Sequence, residues 1–156
     1  MRSFEEKTRW SMMATVLSSV LIMGGCTTFK YAFDMKTSFA EQKSYAWAPS
    51  TSANQTGHLL ESNVQVLADQ LLAQKGFKKT SEKADLEITI GYVSNSYRDK
   101  DIYQIEQLNL SVNRTQTKEL VWRGTAFGTI NVDAASDDLK KALEGILSNF
   151  PPKGKS

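Results

Sequence analysis

Apolar and polar side chains alternate along several short segments of the chain. Alternation with a period of two is typical of strands that have one buried side and one side facing water. The pattern is clearest over residues 85–94, and shorter versions at residues 27–34 and 43–48 predict two earlier strands. In the clearest segment, the apolar positions on one side are Leu86, Ile88, Ile90 and Tyr92. These segments together predict a sheet.

Two longer alternating segments follow, at residues 103–113 and 119–132. The first changes phase near Glu106 and Gln107, where its apolar residues pass from odd to even positions, and this predicts a bulge. The polar residues 113–118 between the two segments predict a hairpin turn. In the second segment, one predicted side carries Leu120, Trp122, Ala126 and Ile130, and the other carries Val121, Arg123, Thr125 and Phe127.

Two other segments have the helical period. Over residues 58–75, apolar residues recur at helical spacing, which predicts an amphipathic helix, and Gly76 directly after it is a typical helix stop. A second helix is predicted between Ser136, a good N-cap, and Pro151, whose ring ends helical hydrogen bonding. The first stripe contains Leu60, Val64, Leu67 and Leu71, and the second contains Leu139, Leu143, Ile146, Leu147 and Phe150.

The order of these elements predicts the fold class. Two strands precede the first helix, and the remaining strands lie between the two helices. Strands with one wet side are typical of antiparallel sheets, and amphipathic helices bury their apolar side against such a sheet. We therefore predict an α+β fold, a two-layer sandwich with a mainly antiparallel sheet and two amphipathic helices on one face.

The first 25 residues have the pattern of a secretory signal peptide. Basic residues precede an apolar run that ends in small residues, with Gly25 directly before Cys26, the only cysteine of the chain. The run is shorter than the roughly 20 apolar residues that span a bilayer. A cysteine at this point resembles the bacterial lipoprotein class, which implies cleavage between Gly25 and Cys26 and acylation of Cys26, palmitate included. The alternatives are an ordinary signal peptide or a short membrane anchor, followed by an incidental cysteine.

The lipoprotein resemblance also implies a location and domain limits. Thr27 follows the cysteine, whereas an aspartate at that position tends to retain lipoproteins at the inner membrane of Gram-negative bacteria. The expected location is therefore the outer membrane, with the protein facing the periplasm. We predict a signal peptide (1–25), a lipidated tether (26–29), a periplasmic domain (30–152) and a frayed tail (153–156).

Charge and cysteine content exclude several function classes. The chain has 19 basic and 17 acidic residues, and its net charge without the leader is +1, so nothing indicates the basic stripe of a nucleic-acid-binding protein. Once Cys26 is acylated, no thiol remains for an internal disulfide. The sequence contains neither a glycine-rich phosphate loop nor the Gly-x-Ser-x-Gly turn of serine hydrolases. We predict no cofactor and no metal.

Residues that often carry catalysis are sparse. His58 is the only histidine, and it lies at a predicted loop-to-helix junction with no second imidazole to share a metal. Asp85, Asp99 and Asp101 offer carboxylates for cation binding or acid–base catalysis, but their spacing lacks the glycine and distal glutamate of a calcium loop. Charged, solvated loops are the simpler interpretation, and we predict no catalytic residue.

Neighbouring residues in the last predicted strand suggest different roles. Trp122 shares its predicted side with Leu120, which indicates core packing. Arg123 faces the opposite side with Val121 and Phe127, and an arginine among apolar residues is typical of a partner surface or an anionic ligand site. The alternative is an ion pair with a carboxylate on a neighbouring strand. Val121, Arg123 and Phe127 are therefore the candidate binding surface.

Several short motifs recur in an order that resembles a known family. They are Asp34 and Phe39, Tyr45-Ala46-Trp47, Lys75-Gly76-Phe77, Ala84-Asp85-Leu86, Leu120-Val121-Trp122-Arg123-Gly124 and Phe150-Pro151-Pro152. The set resembles a bacterial envelope-lipoprotein family known as domain of unknown function 4136, over residues 30–152. This resemblance implies a lipid-anchored α+β domain. It brings no activity, substrate or catalytic residue.

We expect a non-enzymatic protein that is anchored in the membrane through Cys26 and presents its domain to an envelope partner, which is a protein, peptidoglycan or a lipid. The alternative is an envelope enzyme with a site in the 49–57 loop or the 94–102 loop. A third possibility is a structural domain that spaces a partner from the membrane. A pocket with converging carboxylates and His58 would favour the enzyme, and a flat apolar patch around Arg123 would favour the binding module.

Overall fold

The computed structural model describes residues 27–53, 55–94, 104–133 and 136–153. Within these ranges the fold is α+β, as the sequence predicts. Its elements, in chain order, are β1 (Thr28–Phe33), β2 (Ser44–Trp47), α1 (Gln55–Gln74), β3 (Lys78–Lys79), β4 (Leu86–Val93), β5 (Gln104–Arg114), β6 (Leu120–Asn131) and α2 (Asp137–Leu147). The alternation pattern does not predict the two-residue strand β3. Strand β1 begins inside the predicted tether.

The strands form one mixed sheet in the order β1-β6-β5-β4-β2-β3. Strands β1, β6, β5 and β4 are antiparallel to one another, whereas β2 is parallel to both β4 and β3. The predicted antiparallel arrangement therefore holds for only part of the sheet. The parallel pairing arises because helix α1 lies between β2 and β4 in the chain. The helix runs back along the sheet, so that β4 can start at the same end as β2 and run in the same direction.

One hydrophobic core unites both helices and one side of the sheet. The two helices also contact each other. Trp122, Tyr45 and Phe150 are the largest fully buried side chains. The ring of Phe150 packs against Phe39, Phe77 and Trp122, with centroid distances of 5.5, 5.0 and 4.9 Å. Phe150, the first residue of the C-terminal Phe-Pro-Pro motif, therefore belongs to the core, although α2 has already ended at Leu147.

Two of the predicted helix signals, Gly76 and Ser136, act where the sequence places them, whereas α2 ends at Leu147 with Ser148 as its C-cap, before Pro151. Gly76 has a φ of +84°, and the N–H of Phe77 donates to the carbonyl of Leu72 at 3.0 Å, which ends α1 in the left-handed conformation that glycine tolerates. Ser136 caps α2 by accepting a hydrogen bond from the N–H of Asp138. Within the described ranges, neither helix is long and apolar enough to cross a membrane. The core side of α1 consists of Leu60, Val64, Ala68 and Leu72, while Leu67 and Leu71 are half-buried.

Strand β6 contains a bulge that simple alternation does not predict. Val112 pairs with Trp122, but the next pair is Asn113 with Leu120, so Val121 is an extra residue in β6. Val121 therefore turns into the core and is 1% exposed, whereas Leu120 is 44% exposed. The two residues take the opposite sides from those predicted, and the structure removes Val121 from the candidate binding surface.

Strand β5 contains the irregularity that its sequence predicts. Ile105 pairs with Ile130, and Gln107 pairs with Phe127, so the register shifts between these two positions. The shift allows Ile105 and Leu108 both to be buried although they lie three residues apart. The change from odd to even apolar positions therefore marks a real break in the pleat.

Candidate functional site

The side of the sheet away from the helices, called the open face below, is polar. Directly opposed residues of antiparallel strands share a side, so the strand register defines three rows across β1, β6, β5 and β4. The rows are Thr28, Phe127, Gln107 and Val93; then Lys30, Thr125, Asn109 and Gly91; then Ala32, Arg123, Ser111 and Thr89. The charged residues of these rows are Lys30 and Arg123, both basic and both exposed.

Arg123 is held in place on the open face by a hydroxyl group. Its Nε donates to Ser111 Oγ at 2.9 Å, and Ser111 itself is buried. The ion pairs in the described ranges are those of Lys79 with Asp69, Arg114 with Glu119 and Lys118 with Glu87. Among the described residues, neither Arg123 nor Lys30 therefore forms an ion pair, and the predicted alternative of a carboxylate partner for Arg123 is not realised there.

Lys30 lies beside an aromatic ring in the neighbouring strand. Its Nζ is 5.2 Å from the centroid of the Phe127 ring, within the range of a cation–π contact. Thr125, which is paired with Lys30 across the strands, is buried although it belongs to the open face. We call Lys30, Ser111, Arg123, Thr125 and Phe127 the basic patch. It contains two of the three predicted surface residues, and Lys30 is the member that sequence analysis missed.

The 49–57 loop, the first alternative location for a site, packs on α1 through a buried carboxyl group. Glu61 is 5% exposed, and its Oε1 accepts a short hydrogen bond from Ser52 Oγ. Tyr92 Oη is 3.3 Å from the same Ser52 oxygen. Gly57 is required at this point, because a Cβ there would collide with Ser52 and Tyr92. The loop is thus fixed by packing and polar contacts.

A shallow cleft lies between this loop, β4 and α1. Trp47, Pro49, Glu61 and Gln65 are among its lining residues, and its empty volume is about 230 Å³ with the space open to solvent included. Typical small-molecule sites have about 300–1,000 Å³. His58 does not line the cleft; it is exposed, with Nδ1 3.0 Å from Ser50 Oγ. The convergence of carboxylates with His58 that would favour an enzyme is therefore not found among the described residues.

Asp69 of helix α1 joins three polar side chains that sequence analysis did not connect. Its Oδ1 accepts hydrogen bonds from Tyr45 Oη at 2.7 Å and Trp47 Nε1 at 2.8 Å, and its Oδ2 accepts from Lys79 Nζ at 2.9 Å. Burial and the hydrogen bond to Asp69 raise the pKa of Tyr45 well above its usual range. Every donor serves the same carboxylate, so this cluster ties α1 to β2 and β3.

Asp85, one of the candidate catalytic carboxylates, fixes a backbone junction. Its Oδ2 accepts hydrogen bonds from Ser44 Oγ at 2.6 Å, from the N–H of Ser44 at 2.9 Å and from the N–H of Lys43 at 3.0 Å. These bonds, those from Ser44 above all, hold the pKa of Asp85 below its usual value. In return, Ser44 Oγ accepts from the N–H of Asp85. Asp85 therefore aligns the start of β2 with β4.

Several predicted site residues lie outside the described residues. They are Gly25, Cys26, Asp99 and Asp101. Within the described ranges, no group of three or more His, Cys, Asp and Glu residues is arranged to hold a metal ion.

Several of the motif residues have structural roles. Trp122 and Phe150 meet in the core, Gly76 ends α1, and Asp85 aligns two strands. A family model described as domain of unknown function (DUF4136) matches residues 29–152. The chain belongs to this family. The DUF4136 resemblance inferred from the motifs is thereby confirmed, and the lipid anchor stays a prediction.

Comparison with other proteins adds information about the fold of this DUF4136 chain. No curated protein matches the sequence. The solved structure of a PDZ domain protein from Parabacteroides distasonis is similar, with a TM-score of 0.60 and 13% identity. The similarity covers 84% of this chain and 37% of that protein. A PelC dodecamer structure from Paraburkholderia phytofirmans has a TM-score of 0.48 and 15% identity over 79% of this chain and 96% of its own. At these identities the likeness concerns the fold alone.

Proposed function

We propose that this DUF4136 protein is a bacterial envelope lipoprotein whose two-layer domain is held at the outer membrane, on the periplasmic side, by lipid on Cys26. The signal-peptide pattern that ends at Gly25 supports cleavage before the cysteine. Strand β1 begins at Thr28, so the folded domain starts two residues behind the anchor. A mature lipoprotein with more than one acyl chain is retained far more stably than a singly acylated protein.

The function that follows is binding rather than catalysis. The observation that carries this proposal is the basic patch, where the exposed Arg123 has no carboxylate partner among the described residues. A guanidinium group offers five N–H donors in a planar arrangement that suits carboxylate and phosphate groups. Protein, peptidoglycan and lipid partners in the envelope can all provide such anionic groups.

The anchor is tested by the Cys26→Ser variant, expressed with its leader in a bacterial host. We expect the wild-type protein to fractionate with the membrane and to incorporate labelled fatty acid. The variant should remain an unacylated precursor or leave the membrane fraction. An unchanged fractionation of the variant, with no labelling of the wild type, would rule out the lipid anchor.

The binding surface is tested by cross-linking in the intact envelope. Arg123→Gln removes one of the two charges of the basic patch, and Lys140→Gln is a matched control on the exposed side of α2. We expect the cross-linked species of the wild type to be lost several-fold in Arg123→Gln and kept in the control. Equal cross-linking in all three proteins would show that the partner binds elsewhere.

The alternative function is an envelope enzyme with a site in the 49–57 loop or the 94–102 loop. Residues 95–103 lie outside the described residues, and the buried Glu61 beside the cleft is the observation that favours the 49–57 loop. Both functions predict unchanged cross-linking in Glu61→Gln, and only the enzyme predicts a loss of turnover. A binding module keeps its cross-linked species in this variant, provided that the variant folds. An enzyme loses turnover of its substrate while membrane attachment and cross-linking stay as in the wild type.

A further inference from the structure

The distance between the proposed lipid and the sheet is limited by the chain itself. Thr28 is the second residue after Cys26, so the two Cα atoms are at most about 7 Å apart. Thr28 is in the first row of the open face, Lys30 in the second and Arg123 in the third. One end of the open face must therefore lie at the membrane surface if Cys26 carries lipid.

Two of the orientations that satisfy this limit differ in where they place Arg123. In an upright domain, the strands point away from the bilayer, and Arg123 lies about 14 Å beyond Thr28, since each row is about 7 Å from the next. That is more than the Debye length of about 8 Å at physiological salt, so Arg123 would be largely screened from lipid headgroups. In a domain that lies flat on its open face, Lys30 and Arg123 both reach the headgroups.

The composition of the open face favours the flat orientation. Both charges in the three rows are basic. Two acidic residues of β5 and β4 border the rows: Glu106, exposed at the register shift beside Gln107, and Glu87, which is paired with Lys118 at 2.8 Å. Thr125 and Ser111 are buried beside the two cations, and the half-buried Phe127 adds an apolar ring of the kind that interfacial segments insert among headgroups. Such a surface complements the phosphates of an anionic bilayer.

We infer that the basic patch lies flat on the anionic phospholipid headgroups of the membrane that holds Cys26. This inference rests on the proposed lipid anchor and specifies the partner of the same surface as a lipid. The short tether removes most of the entropic cost of bringing the patch to the bilayer, because the lipid already holds the domain within reach. Each basic residue near an anionic surface contributes roughly a fivefold preference for the docked orientation.

The orientation is measured with a fluorescent thiol label on the mature protein in vesicles. Ala32→Cys places the label in the same row as Arg123 on the exposed edge strand, and Lys140→Cys places it on the opposite side of the domain. In vesicles of phosphatidylethanolamine and phosphatidylglycerol, we expect iodide to quench the label at position 32 several-fold less than the label at position 140. In phosphatidylcholine vesicles, the two labels should be quenched almost equally.

Charge variants show whether the label at position 32 is protected by electrostatic docking or only because the tether keeps it close to the bilayer. Adding Lys30→Gln and Arg123→Gln to the Ala32→Cys protein should restore iodide quenching in the anionic vesicles, whereas adding Lys141→Gln should not. If the label at position 32 is as accessible as that at position 140 in anionic vesicles, the flat orientation is wrong and the basic patch is left for a protein or peptidoglycan partner. Protection that survives Lys30→Gln and Arg123→Gln would overturn the electrostatic basis.

The wild-type protein distinguishes failure of this inference from failure of the proposed function. Its one thiol belongs to Cys26, so an acylated protein takes up no label. Labelling of wild-type protein would overturn the lipid anchor and, with it, the flat orientation. Absence of labelling together with an exposed position 32 would overturn the orientation alone.

Discussion

Trp122 and Arg123 are neighbours in β6 that face opposite sides of the sheet and serve different purposes. Trp122 is fully buried, donates from Nε1 to the carbonyl of Asn149 at 3.2 Å and packs on Phe150. Arg123 is exposed and bonds only to Ser111 among the described residues. Of these two adjacent residues, Trp122 thus stabilises the fold and Arg123 is available for binding.

Trp122→Ala should lower the free energy of unfolding by about 3–5 kcal/mol, because it leaves a large cavity beside Phe150. Urea denaturation followed by circular dichroism measures the change. Leu120→Ala is the matched control in the same strand, and it should cost well under half as much because Leu120 is half exposed. Similar losses in the two variants would contradict the assignment of Trp122 to the core.

Asp85 gives the stability a predictable dependence on pH. Its folded-state pKa lies below the ordinary value of 3.8, so its contribution is present above that value and is lost as the pH falls toward the folded-state pKa. Asp85→Asn should therefore be less stable than the wild type at neutral pH and should lose less stability on acidification below about pH 5. Glu41→Gln, on an exposed residue outside this junction, should keep the wild-type pH profile. If Asp85→Asn also keeps that profile, the carboxylate does not hold β2 to β4.

At the scale of helices and strands, local features could be predicted from the sequence. The helical spacing and Gly76 predict α1 and its end, and the phase change near Gln107 predicts the irregularity in β5. These features depend on side chains close together in the chain, which a periodic pattern records directly. The α+β class follows from the same patterns.

Features that depend on distant partners could not be predicted in this way. Strand β2 alternates in the way that is typical of antiparallel strands, so its pattern does not reveal that it pairs with β4 in parallel. The bulge at Val121 has no signal of its own, since its apolar side chain suits either position. In the sequence, Asp69 cannot be told apart from a solvent-exposed aspartate on a helix, because its hydrogen-bond donors Tyr45 and Trp47 lie far away in the chain. The basic patch likewise depends on the register that places Lys30 beside Phe127.

Helix α2 and the edge strand β1 are joined at a residue where glycine is required by packing. A Cβ on Gly145 would collide with the ring of Phe29, and Tyr31 Oη donates to the carbonyl of Gly145 at 2.6 Å. Glycine to alanine in a helix interior normally stabilises by about 0.5–1 kcal/mol. Here we expect Gly145→Ala to destabilise by about 1–2 kcal/mol, because the ring of Phe29 must move out of the interface.

The cause of that loss is checked by combining Gly145→Ala with Phe29→Ala in a double-mutant cycle. With the ring removed, the glycine substitution should become neutral or stabilising in thermal or urea denaturation. A loss of the same size in both backgrounds would mean that Phe29 does not determine the need for glycine.

In the molecule as a whole, the proposed lipid on Cys26 and the basic patch are connected through strand β1. Strand β1 begins at Thr28, the open face includes that strand, and the basic patch extends from it across β6 and β5. A domain built in this way can act by being held at a membrane and presenting one face. The relation between anchor and surface is therefore the central claim, and it depends on lipid at Cys26.

The intact mass of the protein purified from the bacterial envelope tests that claim most directly. We predict a chain that begins at Cys26, with a mass increased by the attached acyl groups. A mass that corresponds to the complete 156-residue chain, or to a chain cut elsewhere without added lipid, would contradict it.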